Sequence, residues 1–165
     1  GNDTVDATAS YTLAANVENL TLLGSGDFDA TGNGLDNRIR GNAGDNVISG
    51  LAGADVLTGG DGADQFFFAH TGAANADDIT DFLSGTDSLW LDPTVFSALT
   101  AGNLDATQFR DSGTPADGND FLVYDQASGV LSYDAVGDGN TLVAIVDLGN
   151  NFALSVTDIH VALPV

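Results

Sequence analysis

The sequence has no cysteine, no lysine and a single glutamate, Glu18; its basic residues are Arg38, Arg40 and Arg110. Each shortage removes a class of function. Without cysteine there is no disulfide framework and no zinc–thiolate site. Without a basic patch nothing displaces counterions from a phosphate backbone, so nucleic acid is excluded as a partner. An anionic membrane surface is disfavoured for the same reason. No apolar run is long enough to span a bilayer, and no N-terminal signal peptide is visible. His70 and His160 lie far apart and lack zinc-ligand spacing, and no nucleophile elbow, Walker loop or H-E-x-x-H occurs.

What remains is aspartate, glycine and apolar residues. The 24 acidic residues set a formal net charge of −21, yet 43 % of the chain is hydrophobic, enough for the core of one domain. The choice of aspartate over glutamate points to tight turns, where a short carboxylate sits better. The partner that this charge calls for is a cation.

Residues 32–67 offer a place for it. Written in nines they read GNGLDNRIR, GNAGDNVIS, GLAGADVLT and GGDGADQFF. Every block opens with glycine: Gly32, Gly41, Gly50, Gly59. Position six is Asn37, Asn46, Asp55 and Asp64; position eight is Ile39, Ile48, Leu57 and Phe66. Position four is Gly44, Gly53 or Gly62, with Leu35 the exception. This register matches G-G-x-G-x-D-x-U-x, and the stretch resembles the calcium-binding RTX repeats of secreted bacterial proteins.

In physical terms the first six residues of a block make a glycine-rich turn whose carbonyl oxygens share a centre, and the last three make a short strand with position eight facing inward. Calcium takes six to eight oxygens from carboxylates and carbonyls. Two blocks make one coil, so turn 32–37 faces 50–55, and 41–46 faces 59–64. One calcium ion is expected in each pair. The first would use Gly32, Gly34, Asn37, Gly50, Ala52 and Asp55; the second Gly41, Ala43, Asn46, Gly59, Asp61 and Asp64. Asparagine supplies a neutral oxygen where the family usually shows aspartate, so these sites should be weaker. The resemblance adds Asp77 or Asp81 as a ligand of a final calcium beside turn 59–64, with Asp77, Ile79 and Asp81 on one strand face.

The flanking segments extend the resemblance. Residues 1–31 contain N-V-E-N-L-T-L, similar to the stretch that precedes RTX blocks, and are expected to form irregular coils that shield the first edge of the roll. GNDTV reads as the end of a nonapeptide, with Asp3 at position six and Val5 at position eight, so a longer parent protein is expected. Asp77-Asp78-Ile79-Thr80-Asp81-Phe82 and Gly85-Thr86-Asp87-Ser88-Leu89 resemble the strand after the last repeat of serralysin-type proteases. Asp92-Pro93 suggests a helix start with Val95, Phe96 and Leu99 on one face, and 104–109 another short turn. Strands are expected at 121–124, 130–133, 142–148 and 152–156, an antiparallel meander similar to the C-terminal module of type I secreted proteins. In the turn from Asp134 the family's D-x-D-G-x-G is interrupted by Val136, which argues against a metal there.

The expected architecture is all-β: coils over 1–31, a short parallel β-roll over 32–67, and an antiparallel β cap over 68–165 with one or two helical turns. The expected function is to bind calcium, fold on it outside the cell, and carry the C-terminal signal read by a type I secretion apparatus. The chain itself is expected to be a monomer and not an enzyme. Two rival readings are a module that binds extracellular polysaccharide, for which Arg38 and Arg40 on one outward face would serve, and a structural segment of a large adhesin.

Overall fold

A computed structural model describes residues 1–115, 117–149 and 153–164. Its strands are β1 (Thr4–Ala7), β2 (Tyr11–Thr12), β3 (Asn19–Leu22), β4 (Ala30–Asn33), β5 (Arg38–Arg40), β6 (Val47–Leu51), β7 (Val56–Thr58) and β8 (Gln65–Phe68). They continue with β9 (Asp77–Ile79), β10 (Ser88–Leu91), β11 (Gly102–Asn103), β12 (Phe109–Asp111), β13 (Leu122–Asp125), β14 (Val130–Tyr133), β15 (Val143–Asp147) and β16 (Ile159–Val161). The chain passes from one sheet to the other at every turn of the roll. Strands β1, β3, β5, β7 and β9 line up in one sheet and β2, β4, β6, β8 and β10 in the other.

The fold is all-β, and its parallel part follows from the ninefold spacing. Arg38 pairs with Val56 and Ile48 with Phe66, each eighteen residues on, so every coil lays its position-eight residue on that of the coil before. Two apolar columns result. Leu20, Ile39, Leu57 and Ile79 stack along one sheet. Ala30, Ile48, Phe66, Leu89 and Ile159 stack along the other. None of these nine side chains is more than 1 % exposed. The columns run past the repeats at both ends, because any strand that puts an apolar residue at the right height continues the stack. A 3₁₀ turn at Ala73–Asn75 lengthens one coil, so that Val56 pairs with Asp78, twenty-two residues on.

After β10 the chain builds its cap. The meander β13–β14–β15 is antiparallel, and β15 then joins β9 in parallel, continuing the first sheet. Asp134, fully buried, anchors the next turn. Its carboxylate accepts from the backbone N–H of Val136, Gly137 and Gly139 at 3.1, 3.0 and 2.6 Å and from Thr141 Oγ1 at 2.9 Å. Burial pushes this acid up, but the donors, Gly139 first among them, prevail and hold it below the usual carboxylate range.

Two expectations are corrected here. The segment from Asp92 is a turn rather than a helix. Asp92 Oδ1 accepts from Thr94 N and Oγ1, both at 2.7 Å, and its carbonyl from Val95 N and Phe96 N. A side chain that satisfies the backbone locally, followed by β-branched Thr94 and Val95, competes with helix growth. The fourth meander strand expected at 152–156 begins at Phe152, outside the described residues, and Val156 already opens a 3₁₀ turn, Val156–Asp158. The strand after it, β16, leaves the meander and pairs in parallel with β10 in the second sheet.

Glycine is required at the tips of the repeat turns. Gly53 has φ +125°, and a Cβ there would press on the carbonyl of Leu35 in the coil before. Gly53→Ala should cost about 2 kcal/mol or more, read as a lowered denaturation midpoint with unchanged slope. Gly34→Ala, with no atom within 4 Å of the added methyl, should cost less than about 1 kcal/mol.

Candidate metal centre

The turns that link the two sheets form two edges. One edge carries turns 13–18, 32–37, 50–55 and 69–77; the other carries 23–29, 41–46, 59–64 and 80–87. Along each edge the position-six residues are chained through the backbone. Asn37 N donates to Asp55 Oδ1 at 2.7 Å, and Asp55 N to Asp77 Oδ1 at 3.0 Å. On the other edge Asn46 N donates to Asp64 Oδ1 at 2.9 Å, and Asp64 N to Asp87 Oδ1 at 3.0 Å. All six of these side chains are buried.

One oxygen of each central aspartate is left over. Asp55 Oδ2 and Asp64 Oδ2 are buried and have no hydrogen-bond partner. A buried carboxylate oxygen without a donor is costly, and the acidities register it. Burial pushes Asp55 up to about 6, against the N–H of Asn37; Asp36 adds repulsion. Burial pushes Asp64 up to about 7, with the charges of Asp87, Asp81 and Asp45 adding to it. Asp77 rises to about 8, through burial and the neighbouring charge of Asp55. Asp87 is also raised, chiefly by burial.

The opening glycines keep hollows lined with oxygen. A Cβ on Gly50 would collide with the carboxylate of Asp55, and one on Gly59 with that of Asp64. A Cβ on Gly32 would meet both Asn37 Oδ1 and the carbonyl oxygen of Gly50; one on Gly41 would meet Asn46 Oδ1 and the carbonyl oxygen of Gly59. The structure therefore brings together Gly32, Asn37, Gly50 and Asp55 on one edge, and Gly41, Asn46, Gly59 and Asp64 on the other. The position-three residues lie at the rim: Gly34, Ala43 and Asp61 are exposed and Ala52 is half-buried. Among the described residues no three Asp, Glu or His side chains cluster with metal-holding geometry. The donors are backbone carbonyls with a few carboxylate oxygens, a hard all-oxygen set that suits calcium.

Asp77 and Asp81 separate. Asp77 stands beside Asp55, on the edge opposite turn 59–64. Asp81 does reach that turn, and its two oxygens accept from Gly59 N and Gly60 N at 2.9 Å each. It is exposed beyond the end of β9, not on a strand face shared with Asp77 and Ile79, because the chain turns away after Ile79. Asp87, which is not among the residues expected from the sequence, completes the chain of position-six residues on this edge. The signal was present: Asp87-Ser88-Leu89 repeats the spacing of Asp55-Val56-Leu57, Asp64-Gln65-Phe66 and Asp77-Asp78-Ile79. An aspartate two residues before a column residue is the mark of position six, with or without the glycines.

Stacked glycine turns lined with oxygen, joined by two-column parallel strands, define a calcium-binding β-roll. Residues 31–66 match the RTX calcium-binding nonapeptide repeat, in four copies. Among solved structures the chain is similar to the solution structure of the AlgE6R3 subunit of the mannuronan C5-epimerase from Azotobacter vinelandii. The identity is 24 %, the match covers 92 % of this chain and 82 % of that one, and the TM-score is 0.57. No curated protein matches the chain.

Proposed function

We propose that this chain is a calcium-binding domain of a larger secreted protein, that it folds on calcium outside the cell, and that it has no catalytic activity of its own. The observation that carries the reading is the pair of buried, partnerless oxygens on Asp55 and Asp64. The gaps between Asp55 and Asp77, and between Asp64 and Asp87, face two carboxylates each and should hold the tighter ions. The gaps between Asn37 and Asp55, and between Asn46 and Asp64, have one carboxylate and should bind more weakly. Calcium would supply the positive charge that these oxygens lack. Extracellular calcium modules bind at roughly 10⁻⁴–10⁻³ M, and calorimetric titration should show heat in that range. Asp55→Asn and Asp64→Asn should each remove one tight site. The absence of heat up to about 10 mM, a tenfold margin over that range, would sink the proposal.

Export follows from the resemblance of the C-terminal module to those of type I secreted proteins. Fused behind a passenger, the chain should direct it through a type I apparatus in one step. Equal export after deletion of residues 150–165 would move the signal elsewhere.

A second reading has one observation in its favour. Arg38 and Arg40 are exposed on the outer face of β5 and form no ion pair among the described residues, in a chain with 24 acids. Arg40 lines an open cleft of about 550 Å³ with Thr21, Asn42 and Asp61. An acidic polysaccharide such as mannuronan would suit them. Retardation in a gel containing that polysaccharide, lost in the double variant Arg38→Ala/Arg40→Ala, would support this role; unretarded wild type would end it.

A further inference from the structure

The first two repeat blocks differ from the last two at two positions at once. They carry Asn33 with Asn37 and Asn42 with Asn46, where the later blocks carry Leu51 with Asp55 and Gly60 with Asp64. The asparagine amides point back into the preceding coil. Asn33 Nδ2 donates to the carbonyls of Ala14 and Val17 at 2.9 and 2.7 Å, and Asn37 Nδ2 to those of Val17 and Glu18 at 3.2 and 3.4 Å. On the other edge Asn42 Nδ2 donates to the carbonyl of Gly26 at 3.0 Å, and Asn46 Nδ2 to that of Phe28 at 2.9 Å. Within each pair the two amides are also joined, Asn37 to Asn33 Oδ1 at 3.3 Å and Asn46 to Asn42 Oδ1 at 3.2 Å. Their remaining oxygens are used as well. Asn37 Oδ1 accepts from Asn33 N and Asn46 Oδ1 from Asn42 N, at 2.7 and 2.8 Å.

We propose that these paired asparagines take the place of a cation: their NH₂ groups hold the carbonyls of turns 13–18 and 23–29, so those gaps close without metal. The inference rests on the calcium reading above and divides the roll. Gaps before Asn37 and Asn46 are amide-closed and metal-free. Gaps after Asp55 and Asp64 need calcium. The physical logic is that turn carbonyls converging on one point require positive charge there, and the partial charge of amide hydrogens meets that need for neutral oxygens. It cannot serve where a carboxylate faces another carboxylate, as Asp55 faces Asp77. Positions two and six together thus encode which gaps take metal: Asn with Asn closes on the coil before, and Asp without Asn opens on the coil after.

The test is hydrogen exchange along the full chain, in chelator and in millimolar calcium. In chelator, amides of β3 should keep protection within about threefold of the calcium state, while those of β7 and β8 should gain at least about tenfold with calcium. Parallel gains in β3 and β7 would overturn the proposal. A second arm replaces the asparagines by the residues of the later blocks, Asn33→Leu with Asn42→Gly. Protection of β3 and β4 in chelator should fall at least about tenfold, with the number of bound calcium ions unchanged; unaltered exchange would overturn the proposal. If calcium changes nothing anywhere in the wild type, the calcium reading fails, and this second arm alone decides whether the amides close the first gaps.

Discussion

In chelator at neutral pH the chain should melt about 6–12 °C below its value in millimolar calcium. The figure comes from linkage. A ligand at tenfold excess over its Kd stabilises the folded state by about 1.4 kcal/mol per site, so two tight sites give about 3 kcal/mol. One kcal/mol moves the melting temperature of a domain of this size by roughly 2–4 °C. The structural reason is local. Without metal, Asp55 Oδ2 and Asp64 Oδ2 stay buried with no donor, and a net charge of −21 favours the expanded chain. On the proposed reading a bound cation would take the two orphaned oxygens as ligands and offset part of the charge. Magnesium should substitute poorly, because it demands smaller and more regular octahedra. Far-UV circular dichroism during thermal melts measures the effect. Identical melts in EGTA and in calcium would show that the roll stands without metal, and the orphaned oxygens would then need another explanation.

How much of this was legible in the sequence varies along the chain. The repeat register was plain, because position eight must be apolar and large to fill a narrow roll, and Ile39, Ile48, Leu57 and Phe66 are each fully buried. The continuation of the columns was harder to see. Leu20 and Ile79 lie in segments without the glycine signature, and Leu89 meets Phe66 only after a coil lengthened to twenty-three residues. Periodicity fails when coil length changes, although the stack tolerates it. Asp87 was lost for the same reason. The place of β16 was not legible at all. Nothing in Ile159-His160-Val161 says that it will leave the meander and lie beside β10; a long-range pairing decides that. There, Asp158 accepts from Ser84 Oγ at 2.6 Å and Gly85 N at 3.1 Å, and His160 stacks on Trp90 with ring centroids 4.7 Å apart. From the sequence the asparagines stand out only as weak ligands, because spacing gives their place in the turn but not the direction of the amide.

The second large effect concerns pH, and its direction differs with and without metal. In metal-free buffer, stability should fall as pH rises from about 4 to about 8. Burial raises Asp55 to about 6, Asp64 to about 7 and Asp77 to about 8 in the folded chain, from an ordinary value of 3.8. Between those limits the folded state holds more protons than the unfolded state, so each step up in pH favours unfolding. Below about 4 both states are protonated at these positions and the penalty vanishes; above about 8 it is complete and constant. The three acids act in the same direction, so their penalties accumulate across the window. Asp134 works in the opposite sense. Its folded value is lowered, so its stabilisation is present above the ordinary carboxylate range and is lost as pH falls through the lowered value. Calcium bound as proposed should reverse the main trend, because the ion would replace the protons held by Asp55, Asp64 and Asp77. Binding must therefore release protons below about pH 8, and affinity must rise with pH up to that point. Melting curves across this range, with and without calcium, should lie close together near pH 4 and diverge steadily toward pH 8. A metal-free melting temperature that climbs from pH 5 to 8, or a calcium effect that is the same at both, would show that these carboxylates are not where the ion binds.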